Sequence, residues 1–391
     1  MNKFPYIATT LFVLTLILSA CGDSSPTAAP STTLSTSSTR PSQTTQSRPA
    51  NALTPLVGPD GQITVLAPTA TVSNFKGSFF YVKNNNIWQG GIGLPGIPPV
   101  STTKLGGIAL TNVSALAITK TPALSPDGQT LAYAYSPDPE IKNGRTIIGQ
   151  DIMTLDLKTK ATKVLMERQE PDMFLEDPTW SPDGTYLYAS YRSPERDNTG
   201  AVIGQKVGIQ RLELATGNRE TLVQDAREPV PTPDGKSLVF IGVAASTMTF
   251  DYSFKVLDLA TKQERELIKP ELNFLSYYFP RISPDGQWVV FAGVGGPEYS
   301  ANPPTTTPNV GSVQGLALHG MPYDLWLIKT DGSNLRRLTI LFEDQPMASW
   351  SKDGKQIMFL AGQGFYTVEV DTGKLSKKSD EGAHGGFDYR E

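Results

Sequence analysis

Cysteine occurs once and histidine twice in this chain of 391 residues, and these scarcities remove several kinds of chemistry at the outset. A single Cys21 leaves no intrachain disulfide. With only His319 and His384 beside it, a Cys/His zinc site lacks ligands. A Ser-His-Asp triad has little to draw on, and no G-x-S-x-G elbow is present. Positive charge is not in excess: 34 Lys and Arg stand against 38 Asp and Glu, a net charge of -4. Without a basic surplus to neutralise phosphates, nucleic acid is not an expected partner. Charged residues are 18% of the chain, below the usual quarter. No cofactor is implied. Gly (35) and Pro (31) are plentiful, which points to many turns and few long amphipathic helices.

The first residues have the layout of an export signal. Lys3 precedes an apolar run, Leu11 to Leu18, that is too short to span a bilayer as a mature helix, and small residues Ser19 and Ala20 follow. Leu18-Ser19-Ala20-Cys21 resembles the bacterial lipobox. That resemblance implies a signal peptide over 1–20, lipid on Cys21, and an extracytoplasmic protein anchored to the cell membrane or outer membrane. Residues 21–55 are nearly all Ser, Thr, Pro, Ala and Gln, with little to bury, and read as a disordered stalk. Residues 56–391 form the folded domain.

One tetrapeptide recurs through that domain. Ser125-Pro126-Asp127-Gly128, Ser181-Pro182-Asp183-Gly184, Thr232-Pro233-Asp234-Gly235, Ser283-Pro284-Asp285-Gly286 and Ser351-Lys352-Asp353-Gly354 each carry the chemistry of a tight hairpin. An apolar strand follows each bend, then a second strand with its own polar turn, then a polar outer strand. Four strands in a period of about fifty residues is the signature of a propeller blade. A sixth unit, Phe79–Lys83 and Ile87–Gln89, lacks the bend. Its inner strand is expected from the C-terminal tail, Gly385–Arg390, with Gln62–Leu66 as the alternative donor. The fold class is therefore all-β, a six-bladed β-propeller of four-stranded antiparallel blades.

The bends and the strands after them resemble the TolB-like and related WD-like propeller repeats, over about residues 75–391. The resemblance is specific for fold and weak for function. The helical N-terminal domain of TolB is absent, which puts a Tol-system role in doubt.

Other motifs dissolve on inspection. Gly91-Ile92-Gly93-Leu94-Pro95-Gly96 matches G-x-G-x-x-G, but Pro95, Pro98 and Pro99 forbid the helix that must follow. Gly235-Lys236-Ser237 mimics the end of a phosphate loop, with Val230 where the first Gly is required. The bend aspartates already have a local job as turn caps.

Propeller geometry localises the binding site. Bends between first and second strands are uniformly short, whereas connections between second and third strands carry insertions at Ser136–Gln150, Arg192–Lys206, Gly242–Asp251 and Gly293–Tyr323. Interblade connections open on that same face. They are expected to bring Glu176, Asp177, Arg227, Glu228, Tyr277, Tyr278, Asp344, Gln345 and His384 to the mouth of the central channel. Such a mouth suits an envelope protein, peptide or glycan partner. The competing reading is a lyase or hydrolase using Asp177, Glu228, Asp344 and His384, which requires these groups to converge on one pocket.

Overall fold

A computed structural model describes residues 55–57, 63–65, 77–92, 94–243, 252–297, 323–341 and 343–391. The expected signal peptide, Cys21, most of the stalk, His319 and the greater part of the insertions Gly242–Asp251 and Gly293–Tyr323 lie outside the described residues.

Each bend closes as its residues dictate. Ser125 Oγ donates to Asp127 Oδ1 at 2.5 Å, the same oxygen accepts the Gln129 amide at 3.0 Å, and the Thr130 amide returns to Ser125 Oγ at 2.9 Å. Gly128 supplies the left-handed residue, φ 72°. The hydroxyl–carboxylate bond repeats at Ser181–Asp183, Thr232–Asp234, Ser283–Asp285 and Ser351–Asp353, between 2.5 and 2.7 Å. Hydrogen bonds from the bend's own hydroxyl and amides hold the Asp127, Asp183 and Asp234 carboxyls below the usual range. These aspartates are structural.

The bends join the first and second strands of five blades. Blade two runs Ile118–Leu124, Thr130–Ser136, Asp151–Asp156, Thr162–Met166, and blade three runs Phe174–Trp180, Tyr186–Arg196, Val202–Glu213, Arg219–Gln224. Blade four is Ala226–Pro231, Ser237–Val243, Tyr252–Asp258, Glu264–Ile268. Blade five is Phe274–Ile282, Trp288–Gly295, Asp324–Lys329 and a short Arg336–Arg337. Blade six is Met347–Trp350, Gln356–Ala361, Gly364–Glu369, Leu375–Ser379. Blade one takes Phe387–Arg390 as its inner strand, beside Gly77–Lys83, Asn86–Ile92 and Ile108–Ala109. The tail is thus the donor. The alternative segment, Ile63–Val65, pairs instead with Pro55–Val57 in a small separate sheet. Inner strands pack each beside the next, and the last returns to the first, so the ring is closed.

Burial runs straight through the second strands rather than alternating: Gln356–Ala361 is buried at every position after the first. Each blade is sandwiched between two others, so both of its faces are core. Aromatic staples cross the seams. Trp180 Nε1 donates to Ala123 O and Trp350 Nε1 to Arg281 O, each at 3.0 Å, tying an inner strand to the blade before it.

Two insertions expected as loops are ordered strand. Glu140–Lys142 pairs with Arg145–Ile147, and the blade-three hairpin extends from Tyr186–Arg196 into Val202–Glu213 with one register shift between Glu195 and Arg196. Pairing of Arg390 with Ser78 puts Gly77, where the chain joins blade one, on the face of the Pro-Asp-Gly bends. The hairpins and interblade connections occupy the opposite face.

Candidate functional site

Four inner-strand positions, and one just before the inner strand of blade six, share an unusual backbone. Thr121, Asp177, Glu228, Phe279 and Gln345 all have positive φ, between 46° and 54°, and each is followed by proline. Non-glycine residues rarely adopt this conformation, and a following proline disfavours the right-handed alternative. In blades two to five the residue sits in a bulge of the inner strand, which frees its amide from its own ladder. Three of those amides reach back across a seam. Thr121 donates to Gly385 O at 2.6 Å, Glu228 to Ser190 Oγ at 2.8 Å, and Phe279 to Glu228 Oε2.

The carboxylates at these positions complete the seams. Glu228 is long enough to meet the Phe279 amide of the next blade directly. Asp177 is one methylene shorter, and Ser190 bridges the gap, donating to Asp177 Oδ2 at 3.0 Å while accepting the Glu228 amide. One polar chain therefore threads blades three, four and five.

Arg227 sits against it. Its guanidinium pairs with Glu228, donates to Tyr277 O at 2.9 Å, and lies between two rings, 4.0 Å from the centroid of Tyr278 and 5.1 Å from that of Tyr252. Glu176 is paired with Arg192, whose Nε donates to Glu176 Oε2 at 3.0 Å. Burial pushes the Glu176 carboxyl up, but Arg192, with Lys120 and Arg227 behind it, outweighs burial and holds the group below its ordinary value. Burial, then the Glu228 and Glu176 carboxylates, raise Asp177 from 3.8 to about 7, against the opposing pull of Arg227 and Ser190. Glu228 is also raised, chiefly by burial, with Arg227 opposing. Burial pushes the Tyr278 phenol up to about 12.

Of the expected mouth residues, the structure brings together Glu176, Asp177, Arg227, Glu228 and Tyr278. They stand on the inner strands themselves, partway along the channel wall, rather than in the interblade connections. Tyr277 contributes only its carbonyl. Successive strand residues point to opposite faces, so its ring turns into the core and stacks on Phe254 with centroids 5.6 Å apart. Asp344, Gln345 and His384 belong to a second group at blade six. There a Cβ placed on Gly362 meets His384 Cε1 at 2.9 Å and Asp344 Cβ at 3.7 Å. Glu343 lies beneath, accepting Tyr366 Oη at 2.6 Å and the Gln363 amide at 3.2 Å. Among the described residues no three His, Cys, Asp or Glu side chains are grouped to hold a metal ion.

Sequence reasoning missed Ser190, Arg192, Tyr252 and Glu343. The X-Pro step three residues before the Ser or Thr of each bend in blades two to five was the available signal for the bulge positions.

Comparison with known proteins follows this geometry. No protein-family model matches the chain. TolB from Acinetobacter baumannii superposes with a TM-score of 0.53 at 16% identity, over 80% of this chain and 66% of that one, just under two thirds of its length. The fold is a TolB-like propeller. A second TolB-like propeller, the putative TolB of Agrobacterium tumefaciens, gives a TM-score of 0.50 at 16% identity over 82% of this chain and 100% of its own. The TolB-like propeller also superposes on a chain of the nidogen/laminin complex, with a TM-score of 0.51 at 8% identity over 80% of this chain and 97% of that one. In sequence, an uncharacterized protein of Agrobacterium fabrum is 25% identical over 54% of this chain and 72% of its own length.

Proposed function

We propose that this chain is a lipid-anchored extracytoplasmic binding protein whose propeller channel presents a preformed polar surface to a protein, peptide or glycan. The observation that carries the reading is the Arg227 assembly. A guanidinium fixed between two tyrosine rings and a buried carboxylate is organised before any ligand arrives, which reduces the entropic cost of binding. Loops and strand ends on a rigid scaffold are where binding groups usually sit. Gly77, the first residue of blade one's second strand, lies on the bend face, opposite the channel-face hairpins. The lipobox-like Cys21 and the TolB-named propellers it resembles favour an envelope location.

The second reading, acid–base chemistry in the channel, has one observation in its favour: Asp177 titrates at about 7, where a general acid or base works best. Against it, Asp177 and Glu228 are engaged in the blade seams, and His384 sits with Asp344 at blade six.

Crosslinked purification from membranes tests the proposal. A partner captured by the natural chain and by Lys352→Ala, but lost with Arg227→Gln of unchanged circular dichroism, supports it. A partner kept by the Arg227 variant contradicts it. Cys21→Ser is expected to release the protein from the membrane fraction; retention there refutes the lipid anchor.

A further inference from the structure

The two ordered insertions of blades two and three project from the channel face, and the segment linking those blades straps them together. Asp172 pairs with Arg145 of the blade-two hairpin and, through the same oxygen, with Arg196 of the blade-three hairpin at 2.7 Å. Two residues earlier, Glu170 accepts Ser193 Oγ at 2.6 Å, and Arg168 holds Asp151 at 2.5 Å. A projection that only fills space needs no such bracing.

The braced hairpins carry bare aliphatic side chains. Ile141 is 78% exposed, Ile203 63% and Val202 59%, and they are three of the seven large apolar residues exposed among the described ones. The outer edge of the long hairpin is also unpaired over most of its extension. Its third strand begins at Val202, but pairing with the fourth strand starts only at Gly208. An apolar strand edge with open backbone groups is a template for a further strand.

Charge selects the occupant. Within residues 138–147, 167–173 and 192–206, seven acids (Asp138, Glu140, Glu167, Glu170, Asp172, Glu195, Asp197) face six bases (Lys142, Arg145, Arg168, Arg192, Arg196, Lys206). Arg168 and Arg192 are each further committed to an acid outside these segments, Asp151 and Glu176. The surface is therefore aliphatic with an acidic rim, which repels anionic lipid and suits an apolar strand flanked by Lys or Arg.

We propose that the blade-two and blade-three hairpins form a braced docking surface, separate from the channel, that accepts an extended protein segment of alternating apolar and basic residues along the Val202–Lys206 edge, which ends where the Asp225 amide donates to the Val207 carbonyl. Recognition combines strand addition, apolar contact with Ile141 and Ile203, and attraction to the acidic rim.

The probes are two labelled decapeptides, one alternating Val and Lys and one alternating Val and Glu, titrated against the full chain by fluorescence anisotropy. The Val-Lys peptide is expected to bind and the Val-Glu peptide not to. Ile141→Ser with Ile203→Ser, both solvent-exposed and so harmless to folding, is expected to weaken binding at least about tenfold. Gln205→Pro removes an edge amide and is expected to do the same. Tyr278→Ala in the channel is expected to leave binding unchanged. Equal binding of the two peptides overturns the proposal. So does loss with Tyr278→Ala alone, which assigns the peptide to the channel, or binding of the Cys21→Ser chain, which carries no lipid, to phosphatidylglycerol vesicles in preference to the peptide. Because the channel variant is read separately, failure here leaves the channel proposal standing, and the reverse.

Discussion

Replacing Asp177 by Asn removes the one carboxylate of the seam network that is driven close to neutrality. Its pKa rises from 3.8 to about 7, and each unit corresponds to about 1.4 kcal/mol, so the ionised form is disfavoured in the fold by about 4 kcal/mol. The side chain keeps some contact with solvent, and that exposure reduces the figure to about 2–3 kcal/mol. A carboxyl whose folded pKa lies above its unfolded one favours folding fully only below about pH 4. That contribution is lost as the pH climbs from 4 to 7. Asn is neutral throughout and can still accept the Ser190 hydroxyl. Urea unfolding of both proteins at pH 4, 5, 6, 7 and 8 should therefore show little difference at pH 4. By pH 8 the Asn variant should have gained about 2 kcal/mol relative to the parent. A difference that stays constant with pH, or an Asn variant weakest at pH 8, refutes the reading of the seam.

Three other outcomes follow from the same contacts. Arg227→Met leaves Glu228 buried without its cation and should cost about 3–5 kcal/mol at pH 7, and less as the pH falls, because burial already raises the Glu228 carboxyl and protonation removes the uncompensated charge, measured by chemical denaturation. Phe387→Ala opens the closing strand between blades six and one, where Phe387 packs near Phe79 and Phe365. It should cost about 3–5 kcal/mol, with a calorimetric midpoint that drops accordingly. Trp180→Phe removes the indole N–H bond to Ala123 O and part of the ring packed against the blade-two and blade-three core, and should cost about 2–3 kcal/mol in the same assay.

The blades were legible because their decisive signals are local. A Ser-Pro-Asp-Gly run bonds its own hydroxyl, carboxylate and amides within six residues, so its position in sequence is its position in space. Ring closure by Gly385–Arg390 was legible from spacing, since an inner strand was due after Leu375–Ser379. The channel groups were less so. Asp177, Glu228 and Tyr278 were found by counting along the connections, yet their placement on bulged inner strands depends on left-handed residues that hydrophobic pattern does not reveal. Tyr252 meets Arg227 from 25 residues away and through strand register alone. Tyr277 was misjudged beside Tyr278 because only that register decides which of two adjacent rings faces the core. The Arg192–Lys206 insertion read as loop because its Pro, Asn and Gly resemble turn residues. Its cross-strand pairing, Arg192 opposite Val207 through Glu195 opposite Gly204, overrides them.

The claim that the channel face meets the partner is tested most directly by placing a photo-crosslinking amino acid at exposed His384 on that face and, separately, at exposed Lys352 in a bend on the other. Irradiation of intact cells should give a discrete adduct from position 384 and none from 352. The same adduct from 352, with nothing from 384, contradicts the account.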